Sequence, residues 1–321
     1  MKAEEILPLL EELAKRESAD IYLFNAGMDQ RAVDKFRHIV CDKPAKRSNA
    51  LLFLATFGGD PDAAYRLAAC LQRNYTKVAV YIFGFCKSAG TLTVIGAHRV
   101  IMGNFGELGP LDVQLVKPDE IIPTSSGLDI FQALAVITNS AFEAFEEYFL
   151  KVVSNSGGSI SAKTAAEIAR GLAVGLFEPM TEQIDPERLG EVQRAINIAN
   201  AYGQRLERES RNLKNGALDK LVQGYPTHGF VIDIVEAKTI FNEIRHADEL
   251  ESKIAVELSR MLSPVKDPLI CDLVNFFTTT VSKGSANETK QKSKPKRKAK
   301  VAQRPADAEV VGEAGNIARL R

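Results

Sequence analysis

The chain has 321 residues, 45% of them hydrophobic, which is enough for a sizeable core and too much for a disordered protein. Of its 41 basic and 41 acidic residues, 11 and 4 lie from Lys283 onward, leaving 30 and 37 before that point; an acidic body of formal charge −7 precedes a basic tail of +7. No run reaches the roughly 18 to 20 apolar residues of a membrane helix, the acidic start MKAEEILPLLEELAKRES is unlike a signal peptide, and Cys41, Cys70, Cys86 and Cys271 form no CxxC pair or metal-like spacing with the four histidines. A cytoplasmic protein with reduced thiols and no metal is expected.

In chain order, residues 1–19 carry an N-terminal helix, with leucines and acids at helical spacing over 3–16. DIYLFNAG (20–27) is a short strand ending in a glycine turn, and Asp29 caps a helix reaching about Val40. NALLFLAT is an apolar strand, followed by Gly58-Gly59 and then Asp60-Pro61 as cap and first helical residue. KVAVYIFGF (77–85) is a second buried strand that breaks at Lys87-Ser88 into a helix of small residues. Strand, helix, strand, helix at about 30 residues per crossover predicts a parallel α/β sheet.

HRVIMG (98–103) is a further strand, and NFGELGPLDVQ is too rich in glycine for regular structure, so it reads as a shaped loop. A helical extension occupies about 128–212: one helix from Leu128 to Val153, one from Ser161 that Gly171 and Gly175 close, and one from Asp185-Pro186 to about Asn212. A short helix, a turn-rich strand around FVID and another helix complete a domain spanning 20–250. A C-terminal helical segment, 251–282, and a disordered basic tail, 283–321, follow. The basic cluster at 290–300 could meet an anionic partner, although a solvated tail is the plainer reading.

Acyl transfer needs an activated nucleophile, a base, and N–H donors for the developing oxyanion. Ser88 stands at a strand-to-helix junction with small Ala89 and Gly90 behind it, and the Ala89 N–H opens the helix. Gly59 ends the neighbouring strand and offers a second N–H. Alone, Ser88 reads as an N-cap and Gly58-Gly59 as a tight turn; together, one crossover apart, they point to a site. Cys86 would lie within the strand and reads as a core thiol. His38 and His246 fall in helix patterns and His98 at a strand start, so packing or surface roles are expected for them.

TFGGDPDAAYRLA, GFCKSAGTL, GELGPLDVQ, QIDPERLGEVQRAINIANAYGQRL and GYPTHGFVIDIVEA, in that order, resemble the serine dehydrogenase proteinase family. Its members are relatives of the signal peptide peptidases within the Clp protease/crotonase superfamily, and the resemblance runs from about 20 to 250. It implies a spiral of β-β-α units, a serine peptidase acting on peptide or protein, and a homo-oligomer enclosing its sites. Ser88 matches the nucleophile, and Gly59 and Ala89 the oxyanion pair.

The base departs from the Clp pattern, because GELGPLDVQ has no histidine. Signal peptide peptidases use a lysine, which Lys151 or Lys163 could supply; Lys87, next to Ser88, is poorly aimed on an extended strand. His228, in the Thr-His turn that the resembling family also carries, is the preferred base, with Asp112 to orient it and Asp233 as the rival orienter. The helices at 128–153 and 186–212 are candidates for subunit contact. Nothing resembles a pyridoxal phosphate or dinucleotide site, so no cofactor is expected. The alternatives are a catalytically silent scaffold or binding module of this fold, and crotonase-like chemistry on a thioester.

Overall fold

A computed structural model describes residues 3–111, 114–116, 124–261 and 268–292. The chain divides into two units, Met1–Val281 and Ser282–Arg321. In chain order the elements are α1 (Ala3–Arg16), β1 (Ala19–Asn25), α2 (Gln30–Cys41), β2 (Asn49–Thr56), α3 (Pro61–Asn74), β3 (Lys77–Cys86), α4 (Ala89–Ile95), β4 (Arg99–Met102), β5 (Glu107–Leu108), β6 (Gln114–Val116), β7 (Thr124–Ser126), α5 (Gly127–Asn155), α6 (Ala162–Thr181), α7 (Pro186–Ser210), α8 (Ala217–Gln223), α9 (Ile234–Ile240), β8 (Ile244–His246), α10 (Glu249–Met261), β9 (Leu269–Asp272) and α11 (Leu273–Lys292).

The central sheet runs β8-β4-β3-β2-β1-β9, with β5 attached to β3. Every pairing in it is parallel except that of β9 with β1, which closes one edge antiparallel. The α/β class is thus as read from the sequence. The strands are apolar on both faces because both faces are covered. Tyr22, Leu52, Val80 and Val100 face a core shared with α2, α3, α4 and α7. Ile21, Leu51, Tyr81 and Ile101 face a second core built with α1, α10 and the start of α11.

The N-terminal caps are where their chemistry places them. Asp29, Asp60 and Asp185 accept from the first-turn amides of α2, α3 and α7, and Pro61 and Pro186 open the last two of these helices. α7 buries Val192, Ile196, Ala199 and Leu206 in the same core as α3 and α4, so this helix covers its own domain.

Four readings are corrected. α6 runs through Gly171 and Gly175 to Thr181: neither glycine takes a positive φ, and mid-helix glycine weakens a helix without ending it. The segment around FVID forms no strand, only a single bridge from Ile232 to Leu108. His246 ends strand β8, not a helix. The segment 251–282 contains strand β9 as well as helix, and α11 continues past Lys283 to Lys292. Residues 293–321, most of the basic tail, lie outside the described residues.

Candidate active site

Strand β3 is continuous with β2 from Asn49/Lys77 to Leu54/Ile82, and then slips: the next partners are Thr56 and Cys86. The extra residues of β3, which include Gly84, form a bulge. Past it β3 also changes partner, from β4 at Ile82–Met102 to β5 at Phe85–Glu107 and Cys86–Leu108. The bulge therefore aims the end of β3 away from the regular sheet, and Lys87-Ser88 follows at once.

Ser88 has φ 48° and ψ −114°, and its side chain makes no capping bond to α4. That excludes the plain reading of Ser88 as an N-cap, which needs an extended backbone. Among the described residues only Ser18, Ser88 and Arg211 are non-glycine residues with positive φ, and Arg211 is the left-handed cap of α7. A backbone of this kind costs about 1–3 kcal/mol and persists only where its surroundings enforce it.

Those surroundings are specific. The Lys87 N–H donates to the Thr56 carbonyl at 3.0 Å, and the Gly90 N–H to the Lys87 carbonyl at 2.8 Å, pinning both sides of Ser88. Gly58 lies directly against it: a Cβ there would sit 2.9 Å from the Lys87 carbonyl oxygen and 3.0 Å from Ser88 Cβ. A Cβ on Gly90 would sit 2.5 Å from Thr56 Cγ2 and 2.9 Å from Cys86 Sγ, so α4 can approach the sheet only with glycine there. Thr91 fixes the first turn from the other side, its hydroxyl donating to the Gly109 carbonyl at 2.7 Å.

Gly58 and Gly59 have φ of 96° and 141°, and a Cβ on Gly59 would fall 2.3 Å from the Met28 carbonyl oxygen. The Met28 N–H donates to Gly58 and the Asp60 N–H donates back to Met28, a parallel bridge that passes over the N–H of Gly59. The Ala89 N–H opens α4, so it has no acceptor within the helix. Among the described residues neither amide has a hydrogen-bond acceptor. Ser88, Gly59 and Ala89 are thus brought to one end of the sheet, with Gly58 packed against both Ser88 and the Ala89 nitrogen, 3.4 Å from its Cβ position.

The remaining candidates are placed as follows. The Lys87 ammonium is held by Glu107 at 3.0 Å and by the Leu108 carbonyl at 3.2 Å, contacts that engage it as an ion-pair partner. Cys86 is fully buried, and burial pushes its thiol far above the ordinary range, which removes it as a nucleophile. Lys151 is exposed on α5 and paired with Glu147, which raises its ammonium above the ordinary value; a lysine base needs the opposite shift. Lys163 is exposed in the first turn of α6.

His228 is half-buried, with its Nδ1 shielded from solvent, in the loop joining α8 to α9. Leu108 and Ile232 exchange two hydrogen bonds of 3.0 Å, and Leu108 pairs with Cys86, so this loop is tied to the strand that delivers Ser88. Tyr225 braces the loop, its ring 4.9 Å from Phe230 and its hydroxyl donating to Glu236 at 2.9 Å. Asp233 caps α9, accepting from the Glu236 N–H at 2.9 Å. Asp112 lies outside the described residues.

Gly58 is read from the sequence only as half of a tight Gly-Gly turn, and Thr56, which also shapes the Ser88 turn, carries no signal there beyond ending an apolar strand. Phe57 and Phe85, about half exposed and stacked at 4.9 Å, border the turn and were also missed, because each reads as the end of an apolar strand. Among the described residues no group of acidic, cysteine or histidine side chains could hold a metal, and no helix is long and apolar enough to cross a membrane.

No family model and no curated protein matches the chain. Among solved structures it is similar to the 1510-N membrane-bound stomatin-specific protease in two mutant forms. One is 18% identical with a TM-score of 0.29, covering 46% of this chain and 69% of that one. The other, in complex with a substrate peptide, is 16% identical with a TM-score of 0.28, covering 75% and 98%. A ClpP1 mutant from Listeria monocytogenes is 15% identical with a TM-score of 0.26, covering 34% of this chain and 64% of its own. Likenesses this distant carry no argument about chemistry, which rests on the geometry of the Ser88 turn.

Proposed function

We propose that the chain is a serine hydrolase of Clp/crotonase type, acting on peptide bonds with Ser88 as nucleophile. The observation that carries this reading is the strained backbone of Ser88 beside two amides that have no acceptor among the described residues. A structural turn can hold a serine at φ 48°, as Ser18 does after α1, but it has no need to combine that φ with a ψ of −114° and to force Gly58 against the serine, whereas a nucleophile that must stand clear of the sheet does.

In the proposed reaction His228 takes the Ser88 hydroxyl proton as Oγ bonds to the carbonyl carbon of the scissile amide. The carbonyl oxygen gains the negative charge and accepts from the Gly59 and Ala89 N–H groups. His228 then gives its proton to the departing amine as the C–N bond breaks, and water repeats the sequence on the acyl-enzyme. Asp112 is assigned as orienter, since Asp233 is occupied in capping α9. The exposed Phe57–Phe85 pair offers an apolar surface for a substrate side chain.

A fluorophosphonate probe tests this directly. It should phosphonylate Ser88 in the wild type, located by mass spectrometry, and leave Ser88→Ala unlabelled. His228→Ala should slow labelling by roughly 100-fold or more. A wild type that never labels would argue for the silent scaffold, and full-rate labelling of His228→Ala with loss in Lys151→Ala or Lys163→Ala would transfer the base to a lysine.

A further inference from the structure

α5 and α6 pack against each other through one seam, with Ala165, Ala169 and Ala173 of α6 buried in it. Beside the seam lies a groove of about 580 Å³ whose floor is apolar, formed by Phe142, Phe145, Val174 and Phe177. Phe142 and Val174 are 63% and 49% exposed, far more than a monomer's interior side chains. An apolar surface of this kind on a helix pair marks an interface.

The charges on its rim indicate what covers it. Arg170 and Glu178 line the groove from α6, one four residues before Val174 and the other four after it. At 100° per residue both fall within about 40° of Val174 on the helix surface, so all three face outward together. Both are exposed, and among the described residues neither makes an ion pair. A two-fold axis through Val174 would lay α6 antiparallel on its copy and set Arg170 of each chain opposite Glu178 of the other. Opposite charges placed symmetrically about an apolar centre are self-complementary, which an isologous contact requires and a groove for an unrelated partner does not.

We propose that two copies of this chain associate through α6, antiparallel, with the two-fold axis at Val174 and reciprocal Arg170–Glu178 pairs closing over the apolar groove. The contact is independent of the peptidase reading. Of the two helices expected from sequence to meet another subunit, at 128–153 and 186–212, the first, α5, supplies Phe142 and Phe145 to this groove, and the second, α7, packs on its own core.

Sedimentation velocity on the full chain across a concentration series provides the test. The wild type should show a reversible dimer or a larger assembly containing it. Arg170→Glu and Glu178→Arg should each weaken that step by about tenfold or more, because each replaces two attractive rim pairs with two repulsive ones. The double variant Arg170→Glu/Glu178→Arg restores both pairs in reversed polarity and should recover wild-type association. Both positions are exposed on a helix, so the variants keep the fold. A monomeric wild type, single reversals without effect, or a double variant as weak as the singles would each overturn the proposal; the first two outcomes would leave the groove to a membrane or to another protein.

Discussion

At the scale of single residues, Ser88 spends conformational energy that the fold does not need. Its φ of 48° is open to glycine without penalty, so Ser88→Gly relieves the strain while the more flexible unfolded chain offsets part of the gain. Ser88→Ala keeps the Cβ and therefore the strain. We expect Ser88→Gly to be more stable than Ser88→Ala by on the order of 1 kcal/mol in urea unfolding, with both variants inert to fluorophosphonate. The reverse order would mean that the turn is relaxed as it stands. The neighbouring glycines allow no such gain, since a Cβ on Gly59 would meet backbone oxygen and one on Gly90 would meet Thr56 and Cys86.

At the scale of elements, the joint between α4 and β4 is sensitive to acid. His98 precedes β4, its own N–H donates to the Val78 carbonyl at 2.8 Å, and its Nδ1 accepts from the Val78 N–H at 3.2 Å. Burial, with Lys77 nearby, lowers its pKa below the ordinary value of 6.5, while Glu209 opposes the shift. The unfolded chain therefore binds the proton more readily. The stabilisation is complete above about pH 6.5, where the unfolded histidine titrates, and is lost as pH falls through the lower folded value. The midpoint of thermal unfolding should drop between pH 7.5 and 5.5, and should drop less in His98→Asn, which keeps an acceptor without a titration. Identical pH profiles for the two proteins would remove His98 from the account. Elements of this kind were legible from sequence to different degrees. β1 to β4 announce themselves as apolar runs, and Asp29, Asp60 and Asp185 mark helix starts, because caps and buried parallel strands are local chemistry. β8 and β9 are three and four residues long and exist because the sheet offers an edge, so no periodicity reveals them. The same holds within the site: SAG after an apolar strand suggests a nucleophile turn, but the φ of Ser88 is imposed by Gly58 and Thr56 from another strand. The proposed base is hardest, since the loop that carries His228 is tied to the end of β3 only through the Leu108–Ile232 bridge, a pairing between segments more than 120 residues apart.

At the scale of the whole molecule, the chain folds back on its own beginning, and the closure is ionic. β9 pairs with β1, and Lys43, from the loop after α2, bridges Asp20 of β1 at 3.0 Å and Asp272 of β9. Both carboxylates are almost wholly buried, at 3% and 6% exposure, and Asp20 also accepts from the Tyr75 hydroxyl at 2.9 Å, next to Tyr22. A buried ion pair adds little over an apolar replacement of the whole group, but removing one member strands the other charges. Lys43→Met should therefore destabilise the protein by about 3–5 kcal/mol in urea unfolding at neutral pH. Lys43→Met combined with Asp20→Asn and Asp272→Asn should recover most of the loss, since amides can share hydrogen bonds without a counter-charge. A loss below about 1 kcal/mol in Lys43→Met would show that β9 is held by its apolar contacts, Ile270 and Leu273 among them, and that the ionic clasp is incidental to closure.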